Sequence, residues 1–156
     1  MVESLGAAPT RAESDALADR LVAEMAAEGG GWWAVEIRGG TRFAGTVGLH
    51  RVNASLPCAP AVEIGWRLHP DHWGRGYATE AAAASLHYGF TAGGLDEIVA
   101  FTTTLNLRSQ GVMTRIGMRR DRRGDFAHPG VHAGSPLRPH VLFRISATHP
   151  PPTLGA

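Results

Sequence analysis

Residues 73–80 read Trp-Gly-Arg-Gly-Tyr-Ala-Thr-Glu, with two glycines two positions apart between an alternating apolar segment and an alanine-rich one. Such a pair permits backbone angles that a side chain would forbid, and it lets a ligand approach the chain closely. A helix that starts there points unpaired N–H groups and the positive end of its dipole back at the turn. The segment reads as an anion cradle, and it constrains the fold to a strand, a tight turn and a helix in that order. Two nucleotide motifs are excluded by spacing. A P-loop requires Gly-Lys-Ser/Thr, which is missing, and a dinucleotide fingerprint requires a third glycine where Thr79 stands. The plain alternative is a strand-to-helix turn with no ligand.

The flanks support the strand and the helix. Val62, Ile64, Trp66 and Leu68 share one face of a strand, and Glu63, Gly65 and Arg67 share the other. Ala78, Ala82, Leu86 and Phe90 fall at helical spacing, closed by Gly93-Gly94. Upstream, Thr10-x-x-Glu13 is a capping box that opens a helix with an apolar stripe of Leu17, Leu21 and Met25, ended by Gly29-Gly30-Gly31. Trp33, Val35 and Ile37 then alternate as a strand, and Gly39-Gly40 signals a hairpin into a second strand at about residues 42–50. Downstream, residues 98–103 form a short β-branched strand. Asn106 caps a helix that carries Val112 and Ile116 inward and ends at Gly117. A long polar loop precedes a final strand at 140–145. The expected fold is a mixed α/β domain around one sheet. A chain of 156 residues with no linker or repeat is a single domain, with 1–9 and 147–156 expected to be flexible.

Composition narrows the function classes. A net charge of +1 gives no overall pull toward nucleic acid or a membrane surface. Arg115, Arg119, Arg120, Arg122 and Arg123 cluster, but Asp121 and Asp125 interrupt them, so a solvated face is the preferred reading. Contact of one or two of them with a ligand phosphate is the alternative, and nucleic-acid binding a weaker rival. The single Cys58 excludes an intramolecular disulfide, and no signal peptide or 18-residue apolar run is present, so the expected location is the cytoplasm. His128 and His132 are spaced i, i+4, but Pro129 and Gly130 lie between them, and no metal site is expected. Trp32, Trp33 and Trp66 read as core or pocket wall.

Three blocks in order resemble the GNAT superfamily of acetyl-CoA-dependent N-acetyltransferases, and most closely the branch of ribosomal-protein alanine acetyltransferases. Residues 73–78 match the pyrophosphate loop Gln/Arg-x-x-Gly-x-Gly/Ala, with Trp73 in place of the first residue. Asn106-Leu107-Arg108-Ser109, Met113 and Ile116-Gly117-Met118 match a second block. Residues 125–129, Pro136-Leu137 and residues 140–143 resemble a third. The resemblance spans about residues 10–145.

It implies the GNAT acyltransferase fold, in which two neighbouring strands splay and hold the pantetheine arm, with acetyl-CoA as co-substrate and an amine as acceptor. It also implies cofactor-binding roles for Leu68, Trp73, Gly74, Arg75, Gly76, Tyr77, Ala78, Thr79, Asn106 and Ser109. Glu63 is the candidate base, against a surface pair with Arg67 on the same face. Ser109 is the candidate acid toward the leaving thiolate, against a serine with only local bonds. Trp33, Asp125, His128 and His140 are candidates for the acceptor pocket; Asp125, His128 and His140 could instead tie the long loop to the sheet, and His128 is the alternative base. Members of this branch usually carry an edge strand and a helix ahead of the capping-box helix. Residues 1–9 are too short for both. The expectation is a shortened chain whose strand near Trp33 is an open edge, able to form a homodimer there. A non-catalytic CoA-binding or interaction module of the same fold is the rival. Protein N-termini, amino acids, polyamines and aminoglycoside-like amines all remain open as acceptors.

Overall fold

The computed structural model describes residues 10–28 and 31–149. Thr10 opens helix α1 (Arg11–Glu28) through the expected box: Glu13 N–H donates to Thr10 Oγ1 at 3.3 Å, and Thr10 N–H donates to Glu13 Oε2 at 2.7 Å. Ser14, Leu17, Leu21 and Met25 form its half-buried stripe. Strand β1 (Trp32–Val35) is shorter than expected. Ile37 falls in the hairpin instead, where its N–H donates to Thr41 O and Gly40 N–H donates to Ile37 O. The remaining elements are β2 (Gly45–Arg51), β3 (Val62–Leu68), α2 (Tyr77–Thr91), β4 (Glu97–Thr103), α3 (Leu107–Arg115), β5 (Arg119–Arg120), β6 (Phe126–Ala127) and β7 (Pro139–Ser146).

These strands form one mixed sheet in the order β1-β2-β3-β4-β7-β5, with β6 also on β7 and β1 at one edge of the described residues. The β2–β3 ladder is antiparallel from Gly45↔Leu68 to Arg51↔Val62, and β4–β7 from Glu97↔Ser146 to Thr103↔His140. Between these two ladders, β3 and β4 run parallel and share only the register pair Glu63↔Val99. The sheet is therefore two halves joined at one point, and past that point the carboxyl ends of β3 and β4 part.

Helix α2 covers one face. Its Ala82 and Leu86 are fully buried in a cluster with Val47, Leu49, Ile64, Trp66 and Ile98. That apolar burial holds α2 in place, and Leu86→Ala would cost about 2–5 kcal/mol. A second cluster of Val52, Leu56, Cys58, Val99 and Leu142 has Phe101 and Phe126 packed against it. Helix α3 buries Ser109 and Met113, with its C-cap Ile116 also buried, while Val112, expected inward, is only half-buried. The helix does end at Gly117 with φ +87°, and Met118 N–H reaches back to Met113 O at 3.0 Å.

The long polar loop is not wholly irregular. Arg119 and Arg120 pair with Arg144 and Phe143, and Phe126 and Ala127 pair with His140 and Pro139. Residues 1–9 and 150–156, expected to be flexible, lie outside the described residues, as do Gly29 and Gly30 of the expected helix stop. Within the expected tail, Ala147 N–H donates to Asp96 O at 2.9 Å. Among the described residues no helix is long and apolar enough to cross a membrane.

Candidate active site

The anion cradle sits where β3 hands the chain to α2. A 3-10 turn (Pro70–His72) leads out of the strand, and Trp73 Nε1–H donates to Leu68 O at 2.8 Å, pinning the turn to the strand end. Gly74 and Gly76 both have positive φ, +75° and +85°, which is the conformational need the glycine spacing suggested. Gly76 is the N-cap of α2 and offers no side chain to cap the first helical N–H groups. Those groups face a cavity of about 910 Å³.

The opposite wall is α3. Asn106 caps it, Oδ1 accepting from Ser109 N–H at 3.2 Å, while its Nδ2 donates to Thr102 Oγ1 and to Ser109 Oγ, both at 3.0 Å. Ser109 Oγ thus accepts one bond and keeps its own proton to donate. Arg108 lies over the Trp73 ring with its guanidinium carbon 4.9 Å from the centroid. Of the residues expected at the cofactor, Leu68, Trp73, Gly74, Gly76, Tyr77, Ala78, Thr79, Asn106 and Ser109 line this cavity. Arg75 does not. Arg115 does, so one arginine of the cluster reaches the cavity wall, while Arg120 is paired with Asp125.

A second cavity, of about 570 Å³, lies across the gap between β3 and β4. Trp66, Asn106 and Ser109 line both cavities, so Ser109 stands at their junction. Glu63, His128 and His140 come together on the wall of the second cavity. The rings of His128 and His140 are 4.9 Å apart, and His140 stacks on Phe126 at 5.6 Å. Burial lowers the His140 pKa, against a bond to Arg138 O that raises it. His128 Nδ1 accepts from Gly130 N–H at 3.1 Å, leaving Nε2 to carry the proton of the neutral ring.

Glu63 is nearly buried, its side chain 14% exposed. Burial raises its pKa above the ordinary carboxylate value, opposed by a hydrogen bond from His50. The partner of Glu63 is His50 across the sheet, Nε2 to Oε2 at 3.1 Å, and not Arg67. Arg67 is four residues along the same strand, about 13 Å away at ~3.3 Å per residue, too far for an ion pair.

Two expected pocket residues stand elsewhere. Trp33 points to the α2 side of the sheet, where its ring meets Tyr88 edge-on at 5.2 Å; its neighbour Trp32 lines the second cavity. Consecutive strand residues alternate faces, and a Trp-Trp pair alone does not say which faces which way. Asp125 fastens the loop to the sheet, Oδ1 accepting from Leu142 N–H at 3.0 Å and Oδ2 from Arg120. His50 was not singled out by the sequence, because only the β2–β3 register brings it to Glu63. The ensemble is a raised carboxylate and a donor hydroxyl in adjoining cavities, with an anion cradle at one end. It can take a proton from a nucleophile at one side of the gap and give one to a leaving group at the other.

Residues 2–119 match the family described as Acetyltransferase (GNAT) domain. The Bacillus subtilis (strain 168) protein named "Uncharacterized N-acetyltransferase YnaD" is 48% identical over 59 residues, 38% of this chain and 35% of that protein. The chain thus spans about a third of the length of that curated relative. A GNAT-family acetyltransferase from Bacillus anthracis is 31% identical with a TM-score of 0.62, covering 75% of this chain and 66% of that one. Mycobacterium smegmatis RimJ in complex with CoA-disulfide is 25% identical with a TM-score of 0.70, covering 86% of this chain and 61% of that one.

Proposed function

The chain belongs to the GNAT acetyltransferase family, and on that premise we propose that it transfers the acetyl group of acetyl-CoA to a primary amine of a small molecule or a protein N-terminus, by direct attack with both substrates bound. The observation that carries this reading is the meeting of two cavities at Ser109, one ending in the glycine cradle and the other holding Glu63. The likeness to RimJ, solved with CoA-disulfide, supports CoA as the occupant of the cradle side.

The residues present fit that occupant. The uncapped N–H groups at the start of α2 suit a pyrophosphate, and Arg115 adds a cation to the same wall. The parted ends of β3 and β4 suit a peptide-like arm that can satisfy backbone groups left without a neighbouring strand. Acetyl-CoA supplies the thioester. On the protein side, Glu63 accepts the proton that the amine must lose before its nitrogen can form the new C–N bond. Ser109 gives its proton to the sulfur as the C–S bond breaks and regains one from water, while Glu63 returns the amine's proton to water, so that the proton lost by the amine balances the one gained by the thiol. Asn106 Nδ2 keeps the Ser109 oxygen as acceptor so that the hydroxyl hydrogen is aimed elsewhere. No covalent intermediate on the protein is required.

Thiol release from acetyl-CoA across a panel of amines, with CoA binding measured by calorimetry, tests the reading. Amine-dependent release supports it. CoA binding with no release for any amine overturns catalysis and leaves a CoA-binding module of the same fold.

A further inference from the structure

We propose that His50 is the positioning residue of the base: a neutral imidazole with its proton fixed on Nε2, donating to one oxygen of Glu63 and leaving the other for the acceptor amine. This rests on Glu63 as the base. His50 and Glu63 are register partners on antiparallel β2 and β3, so the backbone itself sets the two side chains on one face. Nε2 and Oε2 are 3.1 Å apart, so the contact engages one oxygen of the carboxylate.

The other ring nitrogen decides the tautomer. Among the described residues, His50 Nδ1 is buried with no hydrogen-bond partner. A proton on Nδ1 would be a buried donor without an acceptor, and it would leave the lone pair of Nε2 facing the carboxylate oxygen. A proton on Nε2 makes a charge-assisted bond and leaves only a bare lone pair at Nδ1. His50 is therefore a fixed donor toward Glu63 and a poor acceptor for the amine's proton.

The ring has little room to turn. It stacks on Trp32 with centroids 5.1 Å apart and planes 26° apart. Trp32 is held in turn by a missing side chain: a Cβ on Gly65, the residue between Glu63 and Arg67 on that face, would lie 2.7 Å from Trp32 Cη2. Gly65, Trp32, His50 and Glu63 form one packed chain of contacts on the cavity wall. The other titratable groups on that wall are Arg67 of β3, His128 and His132 of the segment after β6, and His140 of β7. Cys58, before β3, has its thiol pKa raised by burial, and the Glu63 charge adds to that rise. Among the described residues, the ion partner of the Glu63 carboxylate is His50.

The test is kcat/KM against pH for the parent, His50→Phe, His50→Gln and Glu63→Gln, with nitrogen-15 spectra of the parent's imidazoles. Phenylalanine keeps the stack on Trp32 and removes the donor; glutamine restores an N–H near the same place. Loss of the donor destabilises the charged form of Glu63, so activity should fail at higher pH as pH is lowered. The acid limb of His50→Phe should move up by about one unit or more, since a bond to a charged group is worth ~1.5–3 kcal/mol and one pKa unit is about 1.4 kcal/mol. His50→Gln should bring the limb back toward the parent, CoA affinity should be equal in all four, and His50 should carry its proton on Nε2 throughout the active range. An unmoved limb in His50→Phe, or a proton found on Nδ1, overturns the proposal. If Glu63→Gln keeps the parent's rate and profile, the reading of Glu63 as base has failed. If Glu63→Gln is inactive and His50→Phe matches the parent, the role of His50 alone has failed.

Discussion

Glu63 is kept where burial disfavours its charged form. Its pKa stands above the unfolded value because burial outweighs the His50 bond. A carboxyl raised in this way contributes stability below the unfolded pKa and loses it as pH rises through the folded pKa. Wherever the group is ionised its burial is a cost, and removing the charge should not weaken the fold. Glu63→Gln should melt no lower than the parent at neutral pH and keep its CoA affinity, while kcat falls on the order of 10²-fold. A lower melting temperature with unchanged kcat would make Glu63 structural. Gly76 gives a second contrast at the same scale. Its φ is +85°, and a Cβ there would meet nothing within 4 Å. Gly76→Ala therefore costs backbone strain of about 1–2 kcal/mol and little else. Gly76→Glu adds bulk and negative charge at the cradle, and its CoA affinity should fall at least about tenfold below the alanine variant, about 1.4 kcal/mol by calorimetry. Equal affinities in the two variants would remove the phosphate from this turn.

At the scale of elements, what the sequence made legible was local. The capping box of α1, the two-faced β3, the glycine turn and the Asn106 cap each rest on residues within a few positions of one another, and each is present. What was hidden depends on partners far along the chain. β5 and β6 are two residues each and exist only through β7, so no periodicity announces them. The facing of Trp32 and the pairing of His50 with Glu63 come from the sheet register in the same way. Asp125 is the clearest case of a role that registers across elements. Burial alone would raise its pKa, but Arg120 and the N–H of Leu142 hold it below the ordinary value. Its contribution is present above the unfolded pKa and lost as pH falls through the folded one, so acid should loosen the segment that carries His128. Asp125→Ala should raise the acceptor KM and leave kcat and CoA affinity close to the parent, because it frees the wall of one cavity and not the other. A drop in CoA affinity would contradict that division. Asn106→Ala acts on the shared wall: it should lose about 1 kcal/mol of stability with the cap, and kcat should drop with it as Ser109 loses its partner.

For the molecule as a whole, the decisive feature is that two half-sheets meet at one register pair and then diverge. The core under α2 takes Val47, Leu49, Ile64 and Trp66 from the β2–β3 half and Ile98 from β4, while α3 follows β4 in the chain. The 910 Å³ cavity is walled by both, with Leu68 and Gly76 on one side and Asn106 and Arg115 on the other. An occupant of that cavity adds a tie between two parts of the sheet that share one register pair. Binding to the native state alone stabilises by about 2.7 kcal/mol at a ligand concentration of 100 Kd. For a chain of this length, ~2–4 °C per kcal/mol converts that to a rise in Tm of about 5–10 °C. Saturating CoA should produce that rise in a thermal melt of the parent and of Glu63→Gln, whose cradle is intact, and much less in Gly76→Glu at the same concentration. Because Glu63 lines only the second cavity, an equal rise in the first two would place the cofactor and the base in separable sites that meet at Ser109. A rise that vanished with Glu63 would mean that the carboxylate helps to hold CoA and is not reserved for the amine.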